Sequence, residues 1–218
     1  MESGSSLRER LVDVGVDLVL TEGTASLGLR EIARRAGVSH GAPRRHFPTH
    51  HALLSAIARR GFADLGARFA TAARGAASPH GQLRALGRAY VAYALECRGM
   101  FELMFRHDLL TSENEVSGQP PLRESTLPLF EHFAGLVARC RADRVGQGSE
   151  TPQDAETPAA VIAAALWSNL HGVAQLWAWG SLQLVLGASP SVVGTSDDDL
   201  LDRLVAAALD AHLGPVNA

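Results

Sequence analysis

The sequence predicts an all-α protein of about nine helices, divided into a small N-terminal domain at residues 1–52 and a larger one at residues 53–218. Three observations carry this expectation. Apolar residues recur at helical spacing nearly everywhere, as in Leu7, Leu11, Val14 and Leu18. No stretch alternates apolar and polar residues for four or more positions between turn signals, so no strand is expected. Helix-start residues and Gly or Pro stops fall between the periodic runs.

In chain order, Ser6 opens a first helix to about Thr21, and Gly23 ends it. A second helix runs from Leu29 to about Ala36. Gly37 then supplies a turn residue that tolerates positive φ. Ser39 is the expected N-cap of a third helix ending near Phe47, where Pro48 stops it. Thr49 caps a long fourth helix reaching Arg74. Ser78-Pro79 opens the next, to about Cys97, with Pro at a position that needs no N–H. Gly99 separates it from a short apolar helix over Met100–His107. Thr111–Gln119 and Asp143–Glu156 read as polar loops. Between them Pro121–Arg141 is a helix with Pro128 in its interior, where a kink is expected. Thr157-Pro158 opens a helix to Trp179, and Ser196 caps the last one, to Leu213. Asp197, Asp198 and Asp199 suit the positive end of that final helix.

Composition narrows the function classes. The 218 residues are 46% hydrophobic and carry a formal net charge of -3. All 20 basic residues are Arg, which bonds phosphate and guanine in a bidentate fashion, although GC-rich coding also explains the absence of Lys. The charge is unevenly placed. Residues 1–60 hold nine Arg against six acids, and the remainder eleven against seventeen. A basic block on an acidic body is the footprint of a nucleic-acid face. Cys97 and Cys140 lack metal spacing and are expected to be free thiols in a reducing, cytoplasmic setting. Met1–Ser6 is polar and has no apolar signal core. The apolar run Ala159–Trp179 is interrupted by Ser168, Asn169, His171 and Gln175, so a buried helix is expected there and no membrane span.

The informative stretch is Leu29–Phe47, LREIARRAGVSHGAPRRHF. Two short helices joined by Ala-Gly-Val-Ser form a helix-turn-helix pattern. Ile32, Ala33 and Val38 face inward, and the third helix presents His40, Gly41, Arg44 and Arg45 outward. Such a helix enters the major groove with its first residues at the base edges. For Arg44 and Arg45 the plain alternative is a solvated basic face.

On these residues the segment Leu7–Leu54 resembles the DNA-binding domain of the tetracycline-repressor (TetR) family. The matching pieces are Glu22-Gly23, Leu29-Arg30-Glu31-Ile32-Ala33, Ala36-Gly37-Val38-Ser39, His46-Phe47-Pro48 and Ala52-Leu53-Leu54. The resemblance implies a double-stranded DNA operator as partner and a DNA-facing set of Arg30, Ser39, His40, Gly41, Arg44, Arg45, His46 and His50. The chain departs from the family pattern at several places. Arg44 stands where a Tyr is usual, His50 where a Lys opens the long helix, and Gly28 where a Thr caps the second helix. Pro43 also lies inside the recognition helix, whose first turn it is expected to distort. A metal cluster of His40, His46, His50 and His51 is the competing idea. Pro48 interrupts the face that would align His46 with His50, so neither metal nor cofactor is expected.

Trp167, His171 and Gly172 resemble the signature of the WHG subgroup of TetR C-terminal domains, as does the phrase Ser39–Pro43. Trp167, His171 and Gln175 share a helix face. Two readings of that face stand: the lining of an effector pocket, or a satisfied core histidine beside Trp167. Tyr90, Phe101, Met104, Phe105 and Phe130 complete the candidate lining, with plain core as their alternative. The resemblance further implies a homodimer through a four-helix bundle of the last two helices. Its expected interface is Leu166, Val173, Trp177, Leu201, Leu204, Val205, Ala208 and Leu209. The function so implied is a ligand-responsive transcriptional regulator, a repressor released from a palindromic operator by a small apolar or aromatic effector. The alternatives are an activator of the same fold and an all-α small-molecule-binding protein. No nucleophile elbow, phosphate loop, zincin helix or carboxylate pair points to an enzyme.

Overall fold

The computed structural model describes residues 6–106, 110, 121–146, 157–187, 189 and 194–215. The expected loop Thr111–Gln119 lies outside the described residues, as does most of the expected loop Asp143–Glu156. The architecture is all-α, and no strand occurs among the described residues.

Chain contacts divide the protein into two compact units. The first holds residues 1–64 and 97–126, the second residues 65–96 and 127–218. In the first unit, α1 (Leu7–Glu22) begins with a capping box. The Ser6 hydroxyl accepts from the Glu9 backbone N–H, and the Glu9 carboxylate accepts from the Ser6 N–H. Gly23, at φ 81°, closes the helix. α2 (Leu29–Arg35) starts from Gly28 with no side-chain cap. α3 (His50–Ala73) starts where the Thr49 hydroxyl accepts from the Ala52 N–H, and it runs on into the second unit. α5 (Arg98–Met104) returns to the first unit and packs on α1. Leu11, Leu18, Ile32, Ala33, Phe47, Leu53 and Ile57 form its fully buried centre.

In the second unit, α4 (Pro79–Glu96) packs against α7 (Ala159–Ala178) and α9 (Asp197–Leu213), which also pack on each other. Ser78 and Ser196 cap α4 and α9 through their hydroxyls, as expected from sequence. Gly87 lets α9 approach α4 closely, since a Cβ there would meet Val205 at 3.0 Å. α6 (Arg123–Gly146) continues past its expected end at Arg141. The Arg144 guanidinium holds its last turn to the Leu213 carbonyl. A short helix that the sequence pattern did not separate, α8 (Ser181–Gly187), follows Gly180 and packs on α7. The short apolar helix begins at Arg98 and includes Gly99, the residue expected to separate it, so the break falls at Cys97 instead.

Candidate functional site

Two places bring the candidate residues together: the turn after α2, and the α4–α7 contact.

α2 ends in a Schellman motif. The Val38 N–H donates to Ala33 O at 3.0 Å, the Gly37 N–H to Arg34 O at 3.2 Å, and Gly37 takes φ 68°. This bend re-aims the chain so that Ser39, His40 and Gly41 emerge exposed. The expected helix from Ser39 to Phe47 does not form. Ser39–Ala42 is a turn, closed by the Ala42 N–H on Ser39 O at 2.9 Å, and Pro43–Arg45 is one 3-10 turn. Pro43 is what prevents the helix. It has no N–H to offer the Ser39 carbonyl, and Gly41 adds a residue of weak helical preference just before it. Pro43 is instead buried as a plug, while Arg44 and Arg45 stand exposed beside it.

The remaining expected contacts are placed unevenly. Arg30 is exposed on the first turn of α2, and His46 is half-buried. His50 does not project freely, because its Nε2 is hydrogen-bonded to the Leu27 carbonyl and staples α3 to the start of α2. Arg34 and Arg35 are neutralised. Glu31 accepts from both, and Arg35 also reaches Glu22 on α1. The Arg34 and Arg35 hydrogen bonds hold the Glu31 carboxyl down to about 2. The i, i+3 and i, i+4 spacing of Glu31, Arg34 and Arg35 is a sequence signal that identifies this pairing. The cations left to act outward at the turn are therefore Arg30, Arg44 and Arg45.

At the α4–α7 contact, Trp167 Nε1–H donates to the Tyr90 hydroxyl oxygen at 3.1 Å. Tyr90 and His171 Nδ1 are 2.7 Å apart. Indole only donates, so the Tyr90 oxygen accepts from Trp167, and the direction of the Tyr90–His171 bond is set by the imidazole tautomer. Burial raises the Tyr90 pKa and lowers that of His171. The stability consequence has a definite sign. The unfolded His171 titrates near 6.5 and the folded one below it, so stability is fully present above 6.5 and falls as pH drops through that value. His80, also lowered by burial, acts in the same direction. A His171→Gln chain should therefore lose less melting temperature between about pH 7 and pH 5 than the wild type. Equal losses in the two proteins would count against a buried neutral His171.

Gln175 and Phe130 lie half-buried on α7 and α6 of the same unit. Phe101, Met104 and Phe105 belong to the other compact unit. They lie in the first unit, where Phe105 meets Phe101 and Phe62 edge-on at 4.9 and 5.8 Å and the Met100 and Met104 side chains fill the space over Gly61. They serve as core there. An open groove of about 770 Å³ in the second unit runs along Ala85, Arg88, Ala89 and Ala92 toward Asp202 and Val205. Tyr90, Trp167 and His171 do not line it.

The residues expected at the dimer interface are mostly turned into the subunit. Leu166, Val173, Trp177, Val205, Ala208 and Leu209 are buried inside the subunit, and Leu201 and Leu204 are half-buried. α7 instead exposes Val161, Leu176 and Trp179, with Ala165, Ser168 and the half-buried Gly172 between them on the same face. α8 adds Leu184 and Val185, which are 79% and 68% exposed. By length and composition α7 could cross a membrane, but Leu166, Leu170, Val173 and Trp177 pack it into the helical core.

Comparison with known proteins matches both halves of this arrangement. The model described as bacterial regulatory proteins, tetR family, matches residues 11–57. The model described as tetracyclin repressor-like, C-terminal domain, matches residues 83–208. A curated relative, an uncharacterized HTH-type transcriptional regulator in the dhlA 5' region of Xanthobacter autotrophicus, is 31% identical over 113 residues. That alignment covers 50% of this chain and 54% of the relative, so the chain spans about half the relative's length. A solved structure of a protein of unknown function from Rhodococcus sp. RHA1 has a TM-score of 0.70 at 28% identity, covering 97% of this chain and 96% of that one. The TetR family regulator PfmR from Thermus thermophilus has a TM-score of 0.58 at 20% identity, over 96% of this chain and all of that one, a likeness of fold alone.

Proposed function

The chain belongs to the TetR family of bacterial regulatory proteins, DNA-binding regulators of transcription, and on that premise we propose that it is a ligand-responsive repressor acting as a homodimer on a palindromic operator. The observation that carries the DNA half is the exposed pair Arg44–Arg45, set on a turn anchored by the buried Pro43 after the Gly37 bend, while Glu31 pairs with the neighbouring Arg34 and Arg35. Arg44 and Arg45 contact phosphate or guanine, Ser39 and His40 reach base edges, and residues 1–52 form the DNA-binding segment.

The homodimer uses the exposed face of α7, Val161, Ala165, Gly172, Leu176 and Trp179, together with α8. Small residues in its middle permit close helix approach, and a twofold axis sets two recognition turns against two half-sites. The effector, small and apolar or aromatic, is sensed near Tyr90, Trp167 and His171. Its release signal travels along α3, the continuous helix that carries residues of both units. An effector must favour the non-binding state by a few kcal/mol to empty the operator. The family's regulators are in general not enzymes, and a cytoplasmic location suits a partner that is chromosomal DNA.

Selection of binding sites from random duplexes by the full chain tests the DNA reading directly. A palindromic consensus is the expected result, and no enrichment would overturn it. Within that assay Arg45→Ala should weaken binding to the selected site by about tenfold, the worth of one good charged contact, with melting temperature and dimerisation unchanged. Equal binding by the variant at physiological salt would remove Arg45 from the DNA face.

A further inference from the structure

Arg8, on the first turn of α1, sits with its guanidinium carbon 5.1 Å from the centre of the Phe47 ring. Phe47 follows directly on Arg44, Arg45 and His46, yet it is wholly buried. Arg8 is half-buried over that ring, at the margin of the recognition turn. A hydrocarbon side chain would cover an aromatic ring without desolvating a charge. The guanidinium is there instead, and no carboxylate among the described residues pairs with it. The neighbouring Glu9 carboxylate is engaged by the Ser6 backbone.

A second cation lies within electrostatic reach. The Arg59 guanidinium, on α3, is held below its ordinary value first by burial and then by the charge on Arg8, an effect that Glu124 only partly offsets. The two guanidinium groups thus lie close enough for the charge on Arg8 to be felt at Arg59. The contact with Phe47 holds the Arg8 guanidinium over the ring, and its N–H groups suit a bidentate acceptor.

We propose that Arg8 is a phosphate-binding residue for duplex DNA, held on the face of Phe47 beside the recognition turn and ready before DNA arrives. The acceptor is a backbone phosphodiester, so Arg8 positions the protein on the duplex and reads no base. This rests on the DNA-binding reading above and adds to it a contact on α1, outside the helix-turn-helix. Arg8 also ties the two together, since the ring it grips closes the recognition turn.

The test is the salt dependence of binding to a random-sequence duplex of about 30 base pairs, between roughly 50 and 300 mM NaCl, read by fluorescence anisotropy with the full chain. Loss of one phosphate contact removes close to one unit from the log–log slope, which at about 0.15 M salt is a fivefold loss of affinity. Arg8→Gln and Arg8→Leu should both show that loss. Arg8→Leu keeps an apolar cover on Phe47, so its melting temperature should stay near that of the wild type. Arg8→Lys should retain the slope. An unchanged slope in Arg8→Leu, with the wild type binding in the expected salt-dependent way, overturns the proposal and leaves the DNA reading standing. Absence of salt-dependent duplex binding by the wild type overturns both.

Discussion

Gly99→Ala is expected to lower the unfolding free energy by about 3 kcal/mol, the upper range for forcing an atom into a packed site. The added Cβ would lie 2.2 Å from the Val19 carbonyl oxygen and 3.0 Å from the Gly23 Cα. Both are backbone atoms at the closed end of α1, so no side-chain rotation relieves the clash. α5 would have to retreat from α1, and the buried Met100, Phe101, Leu103 and Met104 would move with it. Gly135→Ala is the matched control. It lies on α6 with nothing within 4 Å of the added carbon, and it should leave stability unchanged or raise it by up to ~1 kcal/mol through helix propensity. Urea unfolding measures both. A Gly99→Ala midpoint equal to that of the wild type would mean that α5 does not lie this close to α1.

The double substitution Leu176→Glu with Trp179→Glu should convert the proposed dimer to a monomer and reduce affinity for the selected operator by at least about 10²-fold. A monomer loses the high effective concentration at which the second half-site is met. Leu176 and Trp179 are 40% and 63% exposed in the single subunit, so charging them costs the fold little. The same change at Leu166, which is fully buried, should instead unfold the chain. Light scattering at micromolar concentration reads the mass, and melting temperature reads the subunit. A double variant that remains a dimer would place the interface elsewhere.

Much of the fold was legible because local chemistry dictated it. Ser6, Thr49, Ser78 and Ser196 each cap the helix they were expected to open, and Gly23 and Gly37 take the positive φ that their positions require. The inward face of α7 was not legible, for a physical reason. That helix is apolar around most of its circumference, so periodicity cannot tell Leu166, Val173 and Trp177, which pack inside, from Val161, Leu176 and Trp179, which do not. At the recognition turn, helical periodicity pointed one way, while Gly41 and the missing N–H of Pro43 pointed the other and prevailed. The Trp167–Tyr90–His171 relay sits between. The spacing placed Trp167 and His171 on one face, but only the fold supplied the hydroxyl that joins them.

The tight turn at Pro43–Arg45 has a consequence for information. A rod-like helix follows the major groove over its length, whereas a single turn touches it at a point. In the homodimer proposed above, each subunit would then spell a word of roughly four base pairs, which recurs by chance about every few hundred base pairs among the millions of competing sites in a chromosome. Neither word alone can be an address. In the proposed dimer, what would distinguish the true site is the spacing between two words and the stiffness of the untouched DNA between them, so its selectivity would be stored largely in distance and in bending cost.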